Sequence, residues 1–353
     1  MTAPTMGSVC TGYGGLDLAV SAVLGARPAW VADPDPGAAR ILAHHWPEVP
    51  NLGDITALDW ASVPRVDVLT AGFPCQDLSH AGRGAGIRKD TRSGLWLTIA
   101  HAVGVLRPRL LLLENVAAIA TRRPGLDVVL ADLAALGFDA EWTCLRASDV
   151  GAPHRRDRWF CLAWPADPDH LRGHRHRTAG QPPQRHPQSA DRVAAHRPRL
   201  RGGEPAEATH PFPGSGQARP EPGRRSGGAA ADPDDAQWNG QQGEQPWRPA
   251  PAGGGGSDID WGAYARAVAR WEAVTGPAPR PTDDRGRLSP PFVEWLMGLP
   301  PGWVTDVPGL TRTQQLHKLG NGVVPLQAVV GLHTLMPVYA RATAALRQED
   351  IAS

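Results

Sequence analysis

Short apolar runs alternate with amphipathic segments along residues 6 to 165, which predicts alternating strands and helices. The strand-like runs are Gly7–Cys10, Ala29–Ala32, Val66–Thr70, Leu110–Leu113, Phe138–Leu145 and Trp159–Ala163. Helical periodicity occurs at Leu16–Leu24, Leu95–Leu106 and Leu126–Leu136. Such alternation is typical of an α/β fold with a mostly parallel sheet and helices on both faces.

The pattern changes after this region. From about Asp167 to Ser257 the chain is rich in Pro, Gly, Arg, His and Gln and poor in aliphatic residues. Such a stretch cannot bury enough apolar surface to offset its ordering entropy, so we expect much of it to be mobile.

Helical periodicity resumes near residue 261. One predicted helical face carries Trp261, Tyr264, Val268, Trp271 and Val274. A second short helix is predicted to start at Ser289, with a proline in its first turn. We expect both aromatic faces to pack within a small domain, although base stacking by Trp261 or Trp271 stays open.

Composition bounds the class of protein. The chain has 353 residues, enough for one large and one small domain. Four scattered cysteines predict neither a disulfide framework nor a zinc site, so no metal is expected. We find no targeting segment and no stretch near the roughly 20 apolar residues of a membrane span. With a net charge of +1, any DNA binding must use a local basic face.

Candidate chemistry lies where two predicted strands end. Cys75 follows the first of them on a Pro-bounded turn, and Glu114 ends the second. Open α/β sheets bind ligands outside the carboxyl ends of their strands, so the thiol and the carboxyl should face one crevice. A nucleophile and an acid of this kind can activate an electron-poor ring.

A glycine loop, Gly12-Tyr13-Gly14-Gly15, lies between the first predicted strand and helix. It would let a ligand approach the backbone at a helix N-terminus, and Asp33 follows about 20 residues on, where an acid would bind ribose hydroxyls. A nicotinamide-type loop would normally carry a third glycine, where this chain has Asp17.

Five motifs in one order resemble those of the DNA (cytosine-5) methyltransferases in their bacterial and phage form. They are Ser8–Asp17, Gly72–Gln76, Glu114–Val116, Gly151–Arg158 and Leu319–Pro325. The resemblance covers residues 6 to 165 and 286 to 335.

The resemblance implies a Rossmann-like S-adenosylmethionine-dependent methyltransferase fold with a smaller, variable target-recognition domain. Residues 1–165 would be the catalytic and cofactor-binding domain, and 166–257 a largely flexible part of the variable region. Residues 258–310 would complete the target-recognition domain, and 311–353 would return to the catalytic domain.

The same resemblance implies the catalytic roles. Cys75 would attack carbon 6 of a flipped-out cytosine, and Glu114 would protonate or hydrogen-bond the ring nitrogen. Arg158 would contact the cytosine oxygen, and Arg156 would support the catalytic loop. Carbon 5 would then accept the methyl group of S-adenosyl-L-methionine. This is the activity of a DNA (cytosine-5-)-methyltransferase.

Cofactor contacts are likewise implied, with Asp33 on the ribose and Asp54 near the adenine amine. The full set is Thr11, Gly12, Tyr13, Gly14, Gly15, Asp33, Asp54, Ile55, Pro74, Asn321 and Val323. Two departures from the family pattern, Cys10 in place of Phe and Pro34 in place of an aromatic, predict altered cofactor affinity without loss of binding.

A Gly-rich basic loop follows the candidate nucleophile, and in the family it closes over bound DNA. The expected DNA contacts are Gln76, Ser79, Arg83, Arg88 and Lys89. A solvated surface turn would also account for this composition.

Duplex DNA is the expected partner, with a cognate restriction endonuclease possible in the same system. We expect a monomer, no membrane association, and a cytoplasmic location at the nucleoid. Two alternatives stay open. One is an RNA cytosine-5 methyltransferase; the other is a partner-dependent or inactive DNA-binding relative.

Overall fold

A computed structural model of the chain describes residues 3–73, 94–121, 125–166 and 259–352, with side chains up to residue 344. Its strands are β1 (Thr5–Val9), β2 (Arg27–Ala32), β3 (Val68–Gly72), β4 (Leu110–Val116), β5 (Phe138–Leu145) and β6 (Arg158–Pro165). Its helices are α1 (Gly15–Leu24), α2 (Pro36–His45), α3 (Gly94–Leu106), α4 (Leu126–Ala135), α5 (Ala265–Thr275), α6 (Pro290–Leu296), α7 (Arg312–Asn321) and α8 (Pro325–Ala352).

The six strands form one sheet in the order β2-β1-β3-β4-β6-β5. The pairs β1–β2, β1–β3 and β3–β4 are parallel, whereas β6 runs antiparallel to both of its neighbours. The predicted α/β class with a mostly parallel sheet is therefore confirmed.

Both faces of the sheet are covered. Along β4, Leu111 and Leu113 face a core that includes Trp96 and Ile99 of α3. Residues on the opposite face, among them Leu112, pack with α1 and α8. Successive strand residues point to opposite faces, so a strand buried on both sides has an unbroken apolar sequence. This explains the four leucines that begin β4.

A third core cluster joins residues 261–310 to the N-terminal region. Trp271 is fully buried and donates a hydrogen bond from its indole nitrogen to the Trp295 carbonyl at 2.9 Å. Trp261 is half-buried and stacks on Phe292 with 5.9 Å between ring centroids. Packing therefore accounts for Trp271, and base stacking by this ring is excluded by its burial.

The predicted helical face around residue 268 is only partly right. Tyr264 and Val274 were expected to pack, yet they are 69% and 57% exposed. For Tyr264 the cause is local, because residues Gly262–Tyr264 form a tighter 3-10 turn before α5 begins. This turn changes the angular position of Tyr264 relative to the residues of α5.

Some element boundaries differ from the prediction. β1 ends before Cys10, whose φ of 54° takes the chain out of the strand. β3 runs two residues further than expected, to Gly72, because it pairs with β4 up to Glu114. An Asn-Gly pair often forms a tight turn, but here Asn321 ends α7 and Gly322 is extended.

Residues 312–344, which include α7 and the first part of α8, are long and apolar enough to span a membrane by length and composition alone, whereas no such stretch was expected. Helix α8 lies in the core. Its buried residues Ala328, Leu332 and Leu335 pack against the sheet with Met6 and Phe160, which is the position of a core helix. The predicted mobile region, residues 167–257, lies outside the described residues.

Candidate active site and cofactor pocket

A pocket lies at the carboxyl edge of the sheet, where β1, β3 and β4 end and α1 begins. It is lined by Ser8 to Tyr13, Gly15 to Asp17, Gly72, Glu114 and Asn321 to Val323. This is the edge at which open α/β sheets bind ligands. The glycine loop and the last of the five motifs, Leu319–Pro325, therefore face one space, although they are about 310 residues apart in sequence. We call Leu319–Pro325 the closing segment.

The glycine loop exposes bare backbone to this pocket. Gly12 has a φ of 60°, and no heavy atom comes within 4 Å of the place where a Cβ would stand. Gly14 has a φ of 82°, and a Cβ there would lie 2.6 Å from the Trp46 ring. Positive φ is strained for an L side chain, so the turn requires both glycines. Gly14 itself is covered by Trp46 and does not line the pocket.

Asp33 and Asp54 lie outside the set of pocket-lining residues. The Asp33 carboxylate accepts hydrogen bonds from the Gly12 amide at 2.8 Å and the Asp35 amide at 2.9 Å, and burial raises its pKa. Asp54 is exposed and accepts from the Thr56 amide at 2.9 Å, which caps the short helix Ile55–Ala57. Ile55 is buried in the core. Contacts from these residues to a cofactor stay predictions.

Tyr13 bridges the two segments of the pocket. Its hydroxyl donates to the Val323 carbonyl at 2.6 Å, and burial raises its pKa. The ring lies against Gly322, where a Cβ would be 1.8 Å from the Tyr13 Cε1 atom. Tyr13 therefore acts as a strut between the glycine loop and the closing segment, and Gly322 is required for its ring to fit.

The region of residues 289–310 also reaches this loop. The Trp303 indole donates to the Tyr13 carbonyl at 2.8 Å, and its ring stacks on His45 with 3.6 Å between centroids. The backbone around Trp303 is held by Glu294, which is 2% exposed and accepts four hydrogen bonds from residues 302 to 305. Residues 261–310, called the small C-terminal region below, thus hold the glycine loop from outside.

A buried carboxyl lies on the floor of the pocket. Asp17 accepts hydrogen bonds from the Ser8 hydroxyl at 3.1 Å and the Thr70 hydroxyl at 2.9 Å, which links α1 to β1 and β3. Burial raises its pKa to about 6, against the opposing effect of these two hydrogen bonds. The sequence drew attention to Asp17 only as a missing glycine.

Glu114 and Arg158 form an ion pair at the rim. The Arg158 Nε atom lies 3.0 Å from Glu114 Oε1, and the two side chains are only 13% and 10% exposed. Burial raises the pKa of Glu114, while Arg158 and then Arg156 oppose that shift. Gly72 faces Glu114 across the β3–β4 pairing, and a Cβ at Gly72 would lie 3.3 Å from the carboxylate.

Asn115 anchors the chain where it approaches the predicted nucleophile. Its side-chain amide donates to the Phe73 carbonyl at 2.8 Å, and it is 2% exposed. Phe73 is the last described residue before the Pro-Cys-Gln segment. The calls on Pro74, Cys75, Gln76, Ser79, Arg83, Arg88 and Lys89 lie outside the described residues and stay predictions.

The other predicted catalytic arginine points elsewhere. Arg156 donates to the Gly320 and Gly322 carbonyls, both at 2.6 Å, and its backbone has a φ of 36°. The two arginines alternate in sequence and would share one face of a strand, but β6 begins only at Arg158, and the Arg156 side chain contacts the closing segment. Its predicted support of the catalytic loop is not tested by the described residues.

His154 holds the small C-terminal region. Its Nε2 atom lies 2.9 Å from the Leu296 carbonyl, and burial lowers its pKa to about 4. The ring is therefore neutral at ordinary pH and suits a structural contact. Among the described residues, no group of three or more His, Cys, Asp or Glu side chains could hold a metal ion.

Together these residues form a pocket with two chemically different parts. Bare backbone and a closing strut border one part of the pocket, which suits a ligand held close to the main chain. A carboxyl with a raised pKa beside a guanidinium borders the other part, where it can hydrogen-bond or protonate a ring nitrogen.

Comparison with known proteins places this site in a family context. The family model described as C-5 cytosine-specific DNA methylase matches residues 5–201. Type II methyltransferase M.NlaIV of Neisseria lactamica is 36% identical over 134 residues, covering 35% of this chain and 31% of that protein. Type II methyltransferase M.NgoBI of Neisseria gonorrhoeae is 33% identical over 156 residues, covering 44% of this chain and 48% of that protein.

The matched segment spans less than half of each of these curated relatives. Among solved structures, the S. pombe Dnmt2 methyltransferase has a TM-score of 0.52 at 14% identity. That match covers 95% of this chain and 99% of the other. At this identity the likeness supports the fold alone.

Proposed function

The chain belongs to the C-5 cytosine-specific DNA methylase family, and from this premise we propose that it is a DNA (cytosine-5-)-methyltransferase. It would transfer a methyl group from S-adenosyl-L-methionine to carbon 5 of a cytosine flipped out of duplex DNA. The description of the family model as a DNA methylase supports the choice of DNA, and two sequence relatives are named as methyltransferases.

One observation carries this proposal beyond family membership. The Glu114–Arg158 ion pair stands at the rim of the same pocket that the glycine loop and residues 321–323 enclose. A methyl donor held at the loop and a base held at the ion pair would therefore be neighbours. Holding two reactants side by side lowers the barrier by removing the entropy cost of their encounter.

The pocket fits S-adenosylmethionine in its chemistry. Open space over the Gly12 backbone allows close approach, and the Tyr13 strut brings Val323 to the opposite wall. Thr11, Gly15 and Asn321 also line this space. When bound, the cofactor supplies an electrophilic methyl group.

The chain's own residues would prepare the cytosine. The thiolate of Cys75 would bond to carbon 6, and the electron pair of the 5,6 double bond would become available at carbon 5. Glu114 would hydrogen-bond or protonate the ring nitrogen, and Arg158 would stabilise charge on the ring oxygen. After methyl transfer, loss of the carbon 5 proton would expel Cys75 and restore the ring.

The base is stacked inside a duplex, so it must flip out at a cost of a few kcal/mol. Contacts from Gln76, Ser79, Arg83, Arg88 and Lys89 to the DNA would offset this cost. We also propose action as a monomer at the nucleoid in the cytoplasm. A cognate restriction endonuclease would be the natural partner of such an enzyme.

Bisulfite sequencing of plasmid DNA from cells that express the wild-type chain or Cys75→Ser tests the proposal. We expect cytosines protected in one short context with wild type alone, because serine is a far weaker nucleophile at neutral pH. Equal protection with the variant would contradict the covalent mechanism. Complete absence of protection, with soluble protein, would contradict the DNA activity itself.

A further inference from the structure

A buried glutamine connects the helix that follows the closing segment to the motif Gly151–Arg158, which we call the arginine motif. Gln327 lies in the first turn of α8 and is fully buried. Its side-chain amide nitrogen donates to the Leu145 carbonyl at 2.7 Å and to the Arg156 carbonyl at 2.9 Å. One planar amide therefore donates to two partly buried carbonyls from different parts of the chain.

These two carbonyls bracket the loop that carries the arginine motif. Leu145 ends β5, and it pairs with Arg158 at the start of β6. Residues 146–157 leave the sheet between these two positions, so Gln327 closes the base of their loop. Arg158 follows at once, and its contact with Glu114 at 3.0 Å depends on where β6 begins.

The connection is reciprocal. While the Gln327 side chain holds the Arg156 backbone, the Arg156 side chain holds the carbonyls of Gly320 and Gly322. Gly322 lines the proposed cofactor pocket. We call Gln327, Arg156 and these two glycines the latch. The latch joins Gly322, in the wall of the proposed cofactor pocket, to Arg156. Arg156 lies two positions before Arg158, the arginine proposed to contact the base.

Three side chains of similar shape lack what this position uses. Methionine has a similar length but no N–H donor, glutamate would place an oxygen against two carbonyl oxygens, and asparagine is one methylene shorter. The amide orientation is also determined, because a flipped amide would set its oxygen against the same carbonyls. Removing the donor from these partly buried carbonyls should cost stability.

We propose that Gln327 is a positioning residue for methyl transfer. Through the latch it holds the arginine motif and the cofactor pocket in fixed positions relative to each other. This inference rests on the proposed function of the site. It predicts that loss of the Gln327 donors loosens residues 145–158 and 319–323 together, without unfolding the sheet.

The test compares Gln327→Met with Gln315→Met as a matched control. Gln315 in α7 also donates from its amide to a single backbone carbonyl, that of Thr305 at 2.9 Å, but it is not part of the latch. For each protein we would measure hydrogen–deuterium exchange, the Kd for S-adenosylmethionine, and kcat and KM on duplex DNA. If Gln327→Met does not fold, Arg156→Met removes the other half of the latch.

In Gln327→Met we expect faster exchange confined to residues 145–158 and 319–323 and weaker cofactor binding. We also expect kcat to fall about ten- to hundredfold with little change in the KM for DNA. Gln315→Met should match the wild type in all three measurements. A uniform rise in exchange, unchanged exchange in both segments, or an unchanged kcat and Kd would overturn the proposal.

Failure of the proposed function would be recognised separately. If the wild-type chain methylates no duplex, the DNA activity is wrong, while exchange and cofactor affinity still decide the latch. Loosening of both segments with weaker cofactor binding would then support it, and unchanged values would refute it.

Discussion

Tyr13→Phe tests whether the strut between the two cofactor segments is held by a single hydrogen bond. The substitution keeps the ring that packs against Gly322 and Gly15 and removes only the hydroxyl. That hydroxyl donates to the Val323 carbonyl at 2.6 Å across 310 positions of the chain, in a site where Tyr13 is 1% exposed. The change therefore isolates one long-range polar contact.

The expected magnitude follows from burial. A carbonyl that loses its donor in a buried site costs about 1–3 kcal/mol, more than the roughly 1 kcal/mol net value of an average hydrogen bond. The free energy of unfolding should fall by this amount. If the lost hydrogen bond destabilises only the cofactor-bound state, the Kd for S-adenosylmethionine rises about tenfold for each 1.4 kcal/mol of this cost.

Urea denaturation and calorimetric titration with S-adenosylmethionine would measure the two effects. Tyr339→Phe is the control, because Tyr339 is a half-buried tyrosine of α8 that packs edge-on against Trp164 and does not line the pocket. We expect it to change stability by less than about 0.5 kcal/mol and cofactor affinity not at all. Equal behaviour of the two variants would refute the argument that Tyr13 is a strut.

Two further predictions concern buried carboxyls. Glu294→Gln should lower the free energy of unfolding by about 2–4 kcal/mol, because an amide cannot accept from all four donors around it. Urea denaturation measures this, and Glu272→Gln should cost far less, because its one remaining amide oxygen can still accept from the Ala278 amide. Asp17 has a pKa of about 6 when folded, above its usual 3.8, so its ionisation opposes folding. The wild type should therefore lose up to about 3 kcal/mol of stability as pH rises from about 4 to 6, whereas Asp17→Asn lacks this loss. Parallel stability profiles of the two proteins would contradict the shift.

The sequence by itself determined the class of fold and the identity of the motifs. A strand that is buried on both faces can be recognised from an unbroken apolar run such as Leu110–Leu113. Alternate residues point to opposite faces, so such a run shows that both faces are apolar. Glycines 12 and 14 were likewise identified from the chain alone, since a tight turn before a helix has few chemical solutions. Glu114 was expected at a strand end, and it lies there.

Only the tertiary structure decided how these parts meet. The expected contact of Tyr13 with the cofactor stays a prediction, while its hydroxyl bonds to Val323, a partner that no local pattern could indicate. Arg156 and Arg158 alternate in sequence, but β6 begins only at Arg158, and the Arg156 side chain contacts the closing segment. Gln327 carried no signal and Asp17 was noted only as a missing glycine, because a buried polar residue reveals its role only through partners brought close by folding. Periodicity records which face of an element is apolar, whereas the long-range hydrogen bonds that shape this site depend on where the chain returns.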